Sequence, residues 1–195
     1  QASSIRCAHG DQQKSQMPRI ESTFGIRHRG RKVSPMTTPE FVLELRKKIG
    51  HVPIPLVGVT AVVFRDEKVL LGKRSDNGLW QSVSGIVDPG EEPADAAARE
   101  CLEEAGVVVR VQRLALVHQV PRVTYANGDQ VDYLDLVFRC EWISGDPHPA
   151  DGELTEVGLY DLGARGDLAP EHVRKVALSM AEDDPASFIG GRPRA

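Results

Sequence analysis

Cysteine is scarce in this sequence: Cys7, Cys101 and Cys140 are the only three, an odd number at irregular spacings. They make no CxxC pair for zinc and no framework for a secreted disulfide fold, so a reducing cytoplasmic setting is the expectation. Long apolar runs are missing too. None approaches the roughly 18 residues that a membrane span requires, and no membrane partner is expected. Most of the chain also lacks a basic surplus. Residues 1–35 carry seven Lys/Arg against two acidic residues, which leaves 17 against 26 for residues 36–195. A body this acidic does not have the clustered Lys/Arg face of a nucleic-acid binder. Nucleic acid is therefore not the expected partner, and any phosphate the protein handles should arrive with a metal cation.

The 195 residues suit one domain with a tail. Residues 1–35 are polar, basic and without hydrophobic period, the composition of a disordered extension. A transit segment is the alternative, against which stand Asp11, Glu21 and the lack of an amphipathic stripe. Met36 precedes a helix signal and is a candidate translation start. Residues 36–53 read as a helix and linker, with Thr37 or Thr38 as N-cap, Pro39 in the first turn and Glu40 completing a capping box. Phe41, Val42, Leu45 and Ile49 recur at three- and four-residue spacing and should share one face, and Gly50 can close the helix.

Strand signals follow. The β-branched run LVGVTAVVF (56–64), the turn RDEK (65–68) and VLLGKR (69–74) read as a hairpin, with a further short strand at LWQSVSG (79–85). After an intervening helix come a strand over 107–120 and a second hairpin over 123–143 around Asn127-Gly128. A strand over 155–162 and a closing helix near 170–181 complete an order of mixed strands and few helices, an α/β sandwich. The domain is expected to span 54–182, with 183–195 as a C-terminal tail.

The intervening helix is the informative one. Pro93 suits a first turn and Gly106 a left-handed C-terminal position, so the helix should run from about 93 to 105. Ala94, Ala97, Ala98, Cys101 and Ala105 form a small-residue stripe able to lie close against a sheet, which makes Cys101 a core filler rather than a reactive thiol. Glu100 stands three residues before Glu103 and four before Glu104, so the three carboxylates crowd one sector at the negative end of the helix dipole. Like charges about 4 Å apart at an effective dielectric near 20 repel by about 4 kcal/mol as an upper guide. Arg99 offsets only part of this, and a hard divalent cation, Mg²⁺ or Mn²⁺, is the natural complement. A solvated acidic face is the plain alternative. The preceding loop weighs against it: Ser84-Gly85 ends a strand, Pro89-Gly90 turns the chain, and Glu91 brings a fourth carboxylate to the helix start.

The pattern Gly85, five residues, Glu91, seven residues, then RECLEEAGV (99–107) resembles the Nudix box, with Cys101 where a bulkier aliphatic is usual. Seven fixed identities at roughly 7% background make a chance match on the order of 10⁻⁸ per starting position. The resemblance implies a Nudix hydrolase: an α/β/α sandwich with a mixed sheet and a loop-helix element that binds divalent cations and cleaves a diphosphate linkage in a nucleoside diphosphate derivative. On that resemblance Glu100, Glu103 and Glu104 are the metal-binding glutamates, and Glu103 or Glu104 activates water. Ser84 offers a backbone carbonyl, and Glu91 and Arg99 form a supporting ion pair. The approach WQSVSG (80–85) departs from the proline and double glycine frequent in the family, which bears on the Ser84 carbonyl.

Substrate contacts should come from outside the box. Arg74, at the end of a strand, is a candidate phosphate contact or a plain surface arginine. Trp80 either stacks on a base or belongs to the core. Tyr125 and Tyr133 flank the second hairpin and either can line a nucleoside pocket, whereas His118 reads as structural. Among Asp151, Glu153 and Glu156, Glu153 is the expected additional acidic residue. Family substrate markers conflict: Pro121 resembles the ADP-ribose hydrolase marker and Tyr125 that of dinucleoside polyphosphate hydrolases. A nucleoside triphosphate pyrophosphohydrolase ranks first, ahead of those two and of a catalytically silent nucleotide-sensing module. A homodimer is also expected from the resemblance.

Overall fold

The computed structural model describes residues 38–161 and 167–189. The basic extension over 1–35 and the candidate start at Met36 lie outside them. The described elements are α1 (Glu40–Ile49), β1 (Ile54–Arg65), β2 (Lys68–Arg74), β3 (Trp80–Gln81), β4 (Val83–Ile86), α2 (Pro93–Ala105), β5 (Val107–Gln119), β6 (Val123–Thr124), β7 (Gln130–Gly145), β8 (Leu154–Asp161), α3 (Pro170–Ser179) and β9 (Ser187–Phe188). The strands form one mixed sheet with the central order β3-β2-β1-β7-β5-β9, to which β4 adds beside β1, β6 beside β7 and β8 beside β2. β1 and β7 run parallel, from Ile54 opposite Val131 to Phe64 opposite Glu141, and their β-branched residues suit such a buried seam.

Alternation along β1 divides the core. Val59, Ala61 and Val63 pack with Ala96, Ala97, Cys101 and Ala105 of α2 on one face. Val62 and Phe64 pack with Leu71, Trp80, Leu116 and Val176 of α3 on the other. The result is the expected α/β/α sandwich. Small side chains let α2 lie close to the sheet. The buried stripe takes in Ala96 rather than Ala98, a slight rotation that also carries Glu104 inward.

Four expectations need correction. α1 starts at Glu40 with Pro39 at its N-cap and no side-chain cap, so neither Thr38 nor a capping box closes it. Only Val42 of its apolar residues is buried, while Leu45 and Ile49 are exposed. Arg46 anchors the helix instead, donating to Gly50 O, Val52 O and Gln130 O and pairing with Asp129 at 3.2 Å. The strand read over 79–85 is two: β3 pairs with β2 and β4 with β1, the chain changing partners at Ser82. Within the expected tail, Ser187 and Phe188 form β9 on the β5 edge.

Candidate active site

α2 is punctuated as its sequence demands, with Pro93 in the first turn and Gly106 in the left-handed conformation at φ 68°. Gly106 serves a second purpose. A Cβ there would lie 2.2 Å from the ring of His148, whose segment folds back over the helix end. His148 N donates to Ala105 O and Ala150 N to Glu104 O, both at 3.1 Å, so the chain after β7 caps the terminal carbonyls of α2. That cap delivers Asp151 and Glu153 to the carboxylates of the helix.

The three glutamates of α2 occupy different environments. Glu103 has a side chain 55% exposed, Glu100 is largely covered, and Glu104 is only 2% exposed. Glu100 lies over Gly85 so closely that a Cβ at that position would sit 2.0 Å from its carboxyl. Gly85 pairs with Val59 of β1 and its neighbour Ser84 with Thr60, which fixes the strand end against the helix. Ser84 Oγ accepts from Gln81 Nε2 at 3.3 Å.

Arg99 holds the front of the cluster. Its Nε and Nη2 donate side-on to both oxygens of Glu91 at 2.8 and 2.9 Å. Nη1 reaches Glu100 Oε1 at 2.8 Å and Glu103 Oε2 at 2.9 Å, and Nη2 also meets Ile86 O at 3.1 Å. Burial opposes ionisation of Glu91, but Arg99 and the Asp88 N–H outweigh it and hold the carboxyl below the usual range. Glu100 goes the other way. Burial pushes it up to about 7, with Arg99 opposing and Glu103 and Glu153 adding to the rise. Glu104 is raised well above its ordinary value too, first by burial and then by Glu100, Glu153 and Asp151, with Arg74 acting against them.

Arg74, Glu100, Glu104 and Glu153 thus share one corner, and Asp151 joins them. Asp151 and Glu153 lie on one loop, and nothing in the sequence spacing separates them, yet both act on Glu104. Glu156 is elsewhere, paired with Lys73 at 2.8 Å. Tyr133 sits nearer the box than Tyr125: a Cβ on Gly58 would lie 3.5 Å from the Tyr133 ring and 3.7 Å from Gly85 O. Tyr125 stands one step out, its hydroxyl 2.8 Å from that of Tyr133. Trp80 must be corrected as a stacking residue. It is 2% exposed, and it packs edge-on to Tyr160 at 4.9 Å on the α3 side of the sheet. His118 lies 3.4 Å from Asp135, in a buried polar group with Lys175 and Thr60. Cys101 is fully buried, and burial raises its thiol pKa well above the ordinary value.

Residues 55–177 match the family model described as NUDIX domain. The chain belongs to the Nudix family. Among its relatives, a MutT-like protein of Streptomyces ambofaciens is 37% identical over 46% of this chain and 53% of its own length. An ADP-ribose pyrophosphatase of Methanocaldococcus jannaschii is 30% identical over 60% of this chain and 69% of its own. The chain therefore spans about half to two thirds of these relatives. A crystal structure of an ADP-ribose pyrophosphatase from Streptococcus suis matches 69% of this chain and 99% of its own with a TM-score of 0.55; at 23% identity it shares the Nudix fold.

Proposed function

We propose that this chain is a divalent-metal-dependent hydrolase that cleaves a diphosphate linkage in a nucleoside diphosphate derivative, with a nucleoside triphosphate as its first substrate class. One observation carries the reading: Glu104 is nearly inaccessible, and the charges of Glu100, Glu153 and Asp151 act on it against the single opposing cation Arg74. A buried carboxylate among carboxylates is costly unless a cation joins it. The donors are all hard oxygens and so suit Mg²⁺ or Mn²⁺. Among the described residues no three such side chains yet converge closely enough to enclose an ion. Arg99 meanwhile takes up oxygens of Glu91, Glu100 and Glu103.

Glu100, Glu103 and Glu104 would hold the cation, together with the Ser84 carbonyl. Bound there, it would screen the diphosphate charge and lower the pKa of water. The remaining steps belong to the chain. Glu103 Oε or Glu104 Oε takes the proton of the attacking water. Arg99 and Glu91 fix the orientation of those carboxylates. Arg74 binds a phosphate, and Tyr133 with Tyr125 lines the nucleoside end. No helix among the described residues is long and apolar enough to cross a membrane, and the buried thiols of Cys101 and Cys140 are free, which supports a cytoplasmic setting.

ADP-ribose is the second reading, favoured by the likeness to the archaeal ADP-ribose pyrophosphatase. The deciding experiment incubates the full chain with nucleoside triphosphates, ADP-ribose and dinucleoside polyphosphates, with Mg²⁺ or Mn²⁺ and with chelator. Metal-dependent cleavage of one class is expected. Binding without cleavage of any class would overturn the hydrolase and leave a nucleotide-sensing module.

A further inference from the structure

Arg74 ends β2, and its backbone is locked there: Arg74 N donates to Leu79 O at 2.9 Å and Gly78 N to Arg74 O at 3.1 Å. The turn between holds Asp76, and Leu79 N donates to Asn77 Oδ1 at 2.9 Å to stiffen it. This places the Asp76 carboxylate side-on against the guanidinium, with Nε to Oδ1 and Nη2 to Oδ2 both 2.7 Å. Nη1 makes no hydrogen bond among the described residues. The same turn is stitched to the acidic loop, because Ser75 N donates to Glu153 O at 3.0 Å. Arg74 also senses Glu153 and Glu104 electrostatically.

We propose that Asp76 is an intramolecular stand-in for substrate phosphate, occupying the bidentate edge of Arg74 until a phosphorylated ligand displaces it. The proposal rests on the reading of Arg74 as a phosphate contact. Two carboxylate oxygens on the Nε–Nη2 edge copy the fork that two phosphate oxygens make there. The pair is local, spans two residues of one turn, and is partly open to solvent at 24% for Arg74 and 33% for Asp76. Besides Arg74, only the backbone N–H groups of Asp76 itself and of Asn77 help to hold the Asp76 carboxylate charged, so opening the pair asks for movement within one turn. The neighbourhood also needs such a partner. Without Asp76, the nearest anions for Arg74 are Glu104 and Glu153, and a guanidinium drawn onto them would neutralise the corner that the cation must occupy. Asp76 keeps the arginine extended and compensated while the site is empty. A phosphate can carry more than one negative charge where Asp76 carries one, so the stand-in yields to a di- or triphosphate and resists a weakly charged ligand.

The test titrates inorganic pyrophosphate into the full chain by calorimetry, with Mg²⁺ throughout, comparing wild type with D76N, R74A and the double variant R74A/D76N. An exposed ion pair contributes at most about 1 kcal/mol, so D76N is expected to bind pyrophosphate up to about fivefold more tightly. That gain should vanish in the R74A background. Relief of charge repulsion alone would tighten binding in the R74A background as well, so the loss of the gain there is what marks the stand-in, and thermal melts establish that each variant is folded. Equal or weaker binding by D76N overturns the stand-in, and so does the absence of pyrophosphate binding in both wild type and D76N. If R74A binds as wild type does, the phosphate role of Arg74 falls together with the stand-in, while metal-dependent cleavage of the substrate panel still decides the hydrolase reading separately.

Discussion

The carboxyl group of Glu100 rests on Gly85, where a Cβ would come within 2.0 Å of it. The atoms that would collide belong to the far end of a flexible side chain, so G85A should turn Glu100 aside without unfolding the protein. Misplacing a catalytic group by about 1 Å costs on the order of 100-fold in rate. A fall of that size in kcat/KM, with an unchanged circular dichroism spectrum, is the expected outcome. Near-wild-type turnover would show that Glu100 need not lie over Gly85.

Glu103 and Glu104 both sit in the last turn of α2, the negative end of its dipole. The double variant E103Q/E104Q removes the Glu103 charge there and replaces the buried carboxyl of Glu104, whose ionisation burial opposes, and it is expected to stabilise the metal-free protein by about 1 kcal/mol, a rise of roughly 2–4 °C in Tm. It should also abolish hydrolysis. Retained turnover would sink the proposed proton-acceptor role.

His172 gives a pH dependence remote from the carboxylates. Its Nδ1 accepts from Ser82 N at 3.2 Å between α3 and the sheet. Burial holds its pKa well below the ordinary 6.5, with Lys175 on α3, Arg74 on β2 and His118 on β5 all acting the same way. The unfolded chain therefore takes up a proton that the fold refuses. Stability is fully present above pH 6.5 and falls as pH drops below it, by up to about 1.4 kcal/mol per pH unit until the folded pKa is reached. The raised carboxyls of Glu100 and Glu104 gain stability over the same range, so the readout is the difference: between about pH 8 and pH 5 wild type should lose melting temperature relative to H172Q.

Trp80 separates core from pocket. As a buried residue it should cost about 3–5 kcal/mol when cut to alanine, read by denaturant unfolding, while W80F should leave KM for the cleaved nucleotide within about twofold. A large KM change in a stably folded W80F would restore the stacking role that its burial denies.

The punctuation of α2 was legible because Pro93 and Gly106 act within one turn of themselves, and both hairpins were legible for the same local reason. The inward rotation of Glu104 was not. It depends on His148 and Ala150 returning across the helix end, some 45 residues later in the chain, and no local spacing encodes that return. Trp80 was ambiguous because a large aromatic beside a strand suits a core and a pocket equally until the α3 partner, Val176, is in place. The break at Ser82 was hidden because β3 and β4 are contiguous in sequence yet belong to different neighbours. Leu45 and Ile49 carried a helical period that implied a buried face, but a single arginine anchors α1 instead.

The parallel seam between β1 and β7 joins Ile54 to Val131 and Phe64 to Glu141. β4, α2 and the Glu91 turn all lie within the stretch of chain that this seam encircles. Parallel pairing between distant segments forms late, because loop closure must precede the contacts that reward it. A growing polypeptide would therefore carry every glutamate of the box for some time before it had a seam to set them against. Activity should appear on synthesis only once β7 has left the ribosome, however early the box itself emerges.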